Sequence, residues 1–180
     1  IDDVKVRVIE KMSDRDFDNE TKSRIAEDVA LSAIKYSILK QSPGKDIIFD
    51  FDKSLSFEGD SGPYLQYTAI RAKSILENAA EVGVPVSSVI QPENWEITDI
   101  EKIVNRFPEV VIKSYDELAP QVLIRYLTDV AGAFNSFYGN NKIVDSNDPD
   151  SAYRVGITEA VYTILSNGIY ILGMKLPERM

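Results

Sequence analysis

Tyr64, Tyr67 and Arg71 stand at i, i+3 and i+7 of one apolar-periodic segment, so a helix there puts two phenol rings and a guanidinium on a single face. Leu65 and its stripe lie one residue of rotation away, about 100° around the same helix. With the Leu65 side buried, the rings and the guanidinium turn toward solvent or a partner. Unpaired nucleobases require flat surfaces to stack on and a donor fork for phosphate or base edges. The plainer alternative is two tyrosines at a core rim with wet hydroxyls, beside a solubilising arginine. Pattern alone favours the plainer one.

Other chemistry is narrowed by two absences. The chain has no histidine and no cysteine, which removes imidazole acid–base catalysis, thiolate nucleophiles, disulfides and the usual zinc sites. Gly59-Asp60-Ser61-Gly62-Pro63 has the look of a serine-protease nucleophile loop, but that mechanism needs an imidazole to take the serine proton. A flexible turn feeding a proline-started helix is the better reading. Lys11-Met12-Ser13-Asp14-Arg15 has the look of an ATP-handling Lys-Met-Ser loop, yet Asp14 and Asp16 put negative charge where a triphosphate would lie. It reads as a solvated helix end. Asp46, Asp50, Asp52 and Glu58 could form a metal site or an acid–base couple; alternating acids more often mark an exposed strand face. No catalytic residue and no metal ligand is assigned.

The elements that must carry these residues are helical nearly throughout. Of 180 residues, 44% are apolar and 27% charged, enough for about one compact domain with a sizeable core. A short amphipathic segment runs from Ile1 to about Met12. A helix capped by Asn19 or Thr21 continues to about Lys40, with Ile25, Val29, Ala33 and Tyr36 on one face, and Ser42-Pro43-Gly44 stops it. Residues 46–52 read as a short strand or extended segment. Pro63 starts a helix reaching about Val82, with Leu65, Ala69, Ala72, Leu76 and Ala79 as its buried stripe. Helical pieces are expected near 95–106 and 108–113. A long helix follows to Tyr138, with Leu123, Tyr126, Leu127, Val130, Phe134 and Phe137 inward. The last helix, about 151–172, is apolar almost all round, so it belongs in the middle of a bundle. No apolar run approaches the ~20 residues of a membrane helix. The chain opens without Met, which points to a piece of something longer.

The break near residue 59 carries a resemblance. Ser54-Leu-Ser-Phe-Glu-Gly-Asp-Ser-Gly-Pro-Tyr-Leu-Gln-Tyr67, with Ile70-Arg71 after it, closely resembles the junction segment of arginyl-tRNA synthetases. Upstream, Ala33-Ile-Lys-Tyr36 and Lys45-Asp-Ile-Ile-Phe-Asp50 fit the same family. Downstream, residues 120–131, Phe134-Asn-Ser-Phe-Tyr138 and Leu172-Gly-Met-Lys-Leu-Pro-Glu-Arg-Met180 are similar to its anticodon-binding domain and C-terminus.

The resemblance implies an all-α fold: residues 1–58 as a mixed junction segment and 59–180 as a helical anticodon-binding bundle. It implies a ligase whose Rossmann-type catalytic domain, handling ATP and Mg, lies upstream of Ile1, with no cofactor in the chain itself. The implied partners are the anticodon loop of arginine tRNA and that upstream domain, without membrane or DNA, in the cytoplasm. The positions facing the anticodon loop would be Tyr64, Tyr67, Arg71, Tyr138 and Met180, with the loop Ser56–Ser61 nearby. Thr68-Ala69-Ile70 departs from the family's Ala-His-Ala, so any contact made by that histidine beside the stripe is missing.

Charge is a tension. Acids outnumber bases 29 to 20, for a net charge of −9, whereas nucleic-acid binders are usually basic. Base stacking here with phosphate grip supplied elsewhere would reconcile the two. The rival reading is a synthetase-derived helical protein–protein module, since acidic bundles with exposed tyrosines also suit protein interfaces.

Overall fold

Each long apolar period of the chain closes into a helix in the computed structural model, which describes residues 1–12, 17–85, 91–93 and 95–180. Among the described residues there are eight helices and no strand: α1 (Asp2–Lys11), α2 (Asn19–Leu39), α3 (Phe51–Ser54), α4 (Gly62–Glu81), α5 (Asp99–Val104), α6 (Phe107–Asp116), α7 (Pro120–Asn140) and α8 (Ser151–Ile171).

Local chemistry sets the boundaries. The Asp18 carboxylate accepts from the Thr21 amide at 2.8 Å, so Asp18 rather than Asn19 or Thr21 caps α2. Ser61 caps α4 by accepting from the Tyr64 amide at 3.1 Å, with Pro63 in the first turn. Of the short strand or extended segment expected over 46–52, the strand is corrected: residues 46–50 carry no regular structure and Phe51–Ser54 is a turn of helix. An extended segment becomes a strand only when a neighbour supplies a ladder, and none does here. Asp50 instead accepts from the amides of Asp52 and Lys53 at 3.0 and 3.1 Å. One Asp of the acidic series is thereby a helix cap. The Lys-Met-Ser-like motif is described only at Lys11 and Met12; Ser13, Asp14 and Arg15 lie outside the described residues.

The apolar stripes pack into two clusters. The larger joins α4, α7 and α8, with α5 and α6 against it, and includes Leu65, Leu127, Phe134, Val161 and Leu165. Helix α8 is central, as its all-round apolarity requires, and packs chiefly on α4. Of the predicted α4 stripe, Leu65, Ala69, Ala72 and Ala79 are fully buried, whereas Leu76 sits only partly buried at the edge. The smaller cluster joins α1, α2 and Leu55 through Val4, Val8, Ile25 and Val29, and Met180 packs against it.

Two contacts lock these layers together. At Gly62 a Cβ would meet the Ser32 carbonyl oxygen at 2.5 Å, so only glycine lets the start of α4 approach α2 this closely. The buried Gln66 amide of α4 donates to Ser32 Oγ at 2.7 Å and to the Lys175 carbonyl at 2.6 Å, fastening the tail after α8 beneath α2. None of the helices among the described residues is long and apolar enough to cross a membrane.

Candidate nucleic-acid interface

The face of α4 beside its core stripe forms one wall of a groove of ≈ 580 Å³, which Tyr64, Tyr67, Arg71 and Met180 all line. Helical period alone explains the first three: with Leu65 and Ala69 fully buried, residues one step around the helix come to the half-buried rim. Tyr138, on the last turn of α7, is 44% exposed and reaches the same place from the facing helix. The Arg71 guanidinium carbon lies 4.7 Å from the centroid of the Tyr67 ring and 5.3 Å from that of Tyr138. Cation–π attraction to two rings holds all three groups in register.

A hydrogen-bonded chain backs this layer. Arg71 Nη1 donates to Oδ1 of Asn135 at 2.5 Å. Nδ2 of Asn135 donates to the Tyr64 hydroxyl at 2.9 Å and to Thr68 Oγ1 at 3.2 Å. Thr68 in turn donates to the Tyr64 carbonyl at 2.9 Å. These side chains are partly or fully buried, so their bonds are screened less than surface contacts.

The far rim is the loop before α4. The Phe57 ring lies 6.0 Å from the Tyr67 ring at a 59° tilt. Gly59, at φ +79, makes the turn that brings the loop back. The loop is tied to itself: Ser61 Oγ donates to the Ser56 carbonyl at 2.5 Å, and Ser56 Oγ donates to the Glu58 carbonyl at 2.9 Å. Asp60 anchors its other side by accepting from the buried Tyr36 hydroxyl and from Lys40. Burial first, and then the Asp60 carboxylate, push the Tyr36 pKa well up, so this phenol stays protonated as a donor. Met180 closes the groove floor beside Ile25 and Val29.

The structure thus brings all five sequence-derived residues to one place. Four line the groove, and Tyr138 joins them through Arg71. Two residues that spacing alone did not single out belong with them. Asn135 shares a face with Tyr138, three positions on along α7, which is the signal that could have found it. Phe57 sits in an irregular loop, where periodicity carries no information. The missing family histidine is also repositioned: Ala69, at the middle of Thr68-Ala69-Ile70, is fully buried in the core and not beside the stripe. Thr68, where the resembling pattern has alanine, adds a hydroxyl to the network.

Among the described residues no group of three or more acids is arranged to hold a metal ion. What the site offers is aromatic faces, a guanidinium and a hydroxyl at the wall of a groove.

The DALR anticodon-binding domain family matches residues 65–180. The arginine–tRNA ligase of Halothermothrix orenii is 33% identical over 184 residues, covering 100% of this chain and 32% of that protein. That of Pyrococcus furiosus is 34% identical over 168 residues, covering 89% of this chain and 27% of the relative. The arginyl-tRNA synthetase of Thermus thermophilus superposes with a TM-score of 0.81 at 29% identity, covering 99% of this chain and 31% of that one. The chain spans about a third of the length of the relatives it matches.

Proposed function

The chain belongs to the DALR anticodon-binding domain family, and from that premise we propose that it reads the anticodon loop of arginine tRNA for an arginine–tRNA ligase. Splayed loop bases enter the groove and stack on Tyr67 and Tyr138, while Arg71 supplies donors to base or phosphate. Met180 offers a soft apolar surface at the floor. Holding the loop positions the acceptor end of the tRNA in a catalytic domain of the ligase, which uses ATP and Mg. The setting is the cytoplasm.

The observation that carries this reading is the Tyr67–Arg71–Tyr138 layer, with the guanidinium 4.7 and 5.3 Å from the two ring centroids at the wall of a groove. Rings fixed before binding lose little freedom when a base stacks on them. The acidic balance fits an interface in which stacking supplies the affinity and other surfaces of the ligase grip the phosphates.

The test is direct binding of a synthetic anticodon-arm hairpin of arginine tRNA to the chain, followed by fluorescence anisotropy. Saturable binding that weakens when the loop is replaced by abasic residues is expected. Equal affinity for the abasic loop refutes the stacking reading.

The second reading, a protein–protein module, draws on a different surface. Ile112 and Tyr115 of α6 and Leu118 just after it are 61%, 77% and 78% exposed, large apolar side chains of the kind that partners cover. Hairpin affinity indifferent to Tyr67→Ala and Tyr138→Ala favours that alternative.

A further inference from the structure

The geometry points to Asn135 as the residue that sets the hydrogen-bonding polarity of the site, committing the Tyr64 hydroxyl to donate and so selecting an acceptor group on the bound RNA. The inference rests on the RNA-binding reading above.

One group in the network has no choice of role. A guanidinium has donors only, so the Asn135 atom 2.5 Å from Arg71 Nη1 must be the carbonyl oxygen. Amide orientation, otherwise a matter of assignment, is therefore fixed by chemistry. Nδ2 must then face the other way, toward the Tyr64 hydroxyl at 2.9 Å and Thr68 Oγ1 at 3.2 Å. Thr68 can accept there because its own proton goes to the Tyr64 carbonyl.

Tyr64 is thus left with its oxygen accepting from Asn135 and its proton unused by any other described residue. Tyr64 lines the groove, so that proton is presented to whatever enters. Arg71 next to it likewise can only donate. This wall of the groove offers its free protons to carbonyl oxygens, unprotonated ring nitrogens or phosphate oxygens, and favours them over amino groups, which would find only the remaining lone pair of the Tyr64 oxygen. Asn135 touches no ligand in this scheme; it is a positioning residue acting through Tyr64.

Asn135→Asp tests the polarity while keeping the shape. A carboxylate still accepts from Arg71, but it also takes the Tyr64 proton and reverses that bond. Affinity for the arginine anticodon-arm hairpin is measured for the unaltered chain, Asn135→Asp, Tyr64→Phe and the double variant. Tyr64→Phe is expected to weaken binding roughly tenfold, and Asn135→Asp to do the same. In the Tyr64→Phe background the Asp substitution should cost less than about twofold, because no proton remains to divert.

An equal cost in both backgrounds means that added negative charge repels the RNA, and overturns the assignment. So does the absence of any cost from Tyr64→Phe, a variant that keeps the ring and is decisive even where Asn135→Asp does not fold. Failure of the unaltered chain to bind the hairpin overturns the RNA-binding reading and this inference with it. Repeating the Tyr64→Phe comparison with an abasic residue at each loop position separates the two acceptor sources. A base acceptor erases the difference at one position; a phosphate leaves it at all.

Discussion

Arg71 and Tyr138 meet across the gap between α4 and α7, the guanidinium carbon 5.3 Å from the ring centroid. The middle of α4 is thereby tied to the last turn of α7, and the half-exposed ring of Tyr138 is held beside the guanidinium, where on the proposed reading a base lands. Tyr138→Ala and Tyr67→Ala should each weaken binding of the anticodon-arm hairpin by ~1–3 kcal/mol. Titration by anisotropy reads the effect, and the urea midpoint of each variant checks that the fold is kept.

Salt dependence separates stacking from phosphate grip. Each phosphate neutralised on a single strand contributes a slope of about −0.7 to log K against log salt. An acidic bundle whose groove relies on rings should show a slope shallower than about −1.5, equivalent to roughly two phosphate contacts. A steep slope would place the affinity in charge pairs instead.

Acid should loosen the lead-in to α5 before it unfolds the bundle. Glu101 Oε2 accepts from the Thr98 amide at 2.8 Å, from Thr98 Oγ1 at 2.6 Å and from Trp95 Nε1 at 3.0 Å, while Oε1 accepts from the Tyr153 hydroxyl at 2.7 Å. Desolvation raises the Glu101 pKa, but these bonds outweigh it and leave the carboxyl below its ordinary value of 4.5. A depressed carboxyl pKa contributes stability that is complete above the unfolded value and is lost as pH falls through the folded one. Fluorescence of Trp95, the sole tryptophan, should therefore hold steady from neutral pH to about 4.5 and change only below it. Glu101→Gln should remove that transition.

Gly62→Ala should destabilise the chain by about 1–3 kcal/mol, because the new methyl meets backbone that cannot step aside. The obstructing atom is the Ser32 carbonyl oxygen, 2.5 Å from where the added carbon would sit. A lowered urea midpoint with an unchanged slope is the expected signature.

Helical period made the candidate face legible in advance, because burial of Leu65 and Ala69 dictates where residues 64, 67 and 71 must point. The same logic placed α8 at the centre, since a helix apolar all round has no face to give to water. Residues 46–50 were less readable: acid–apolar alternation is only half of what a strand needs, and the other half, a partner, is a matter of tertiary structure. Capping of α2 by Asp18 in place of Asn19 or Thr21 is a choice among neighbouring polar residues that local pattern does not rank finely. Asn135 and Phe57 stayed hidden for different reasons. The first acts through contacts with a helix far away in sequence, and the second lies in a loop without period.

The Tyr36 hydroxyl gives its proton to Asp60 and sits 2.9 Å from Thr128 Oγ1. It thereby pins the loop that carries Phe57 to the interior of the α2–α7 packing. The rim of the groove is therefore not an independent appendage that can be recut at will. If the groove takes RNA as proposed, a lesion deep in that seam, remote from any nucleotide, would surface as a change in which RNAs are tolerated, and selection for a new decoding preference would have to work through the scaffold as well as the surface.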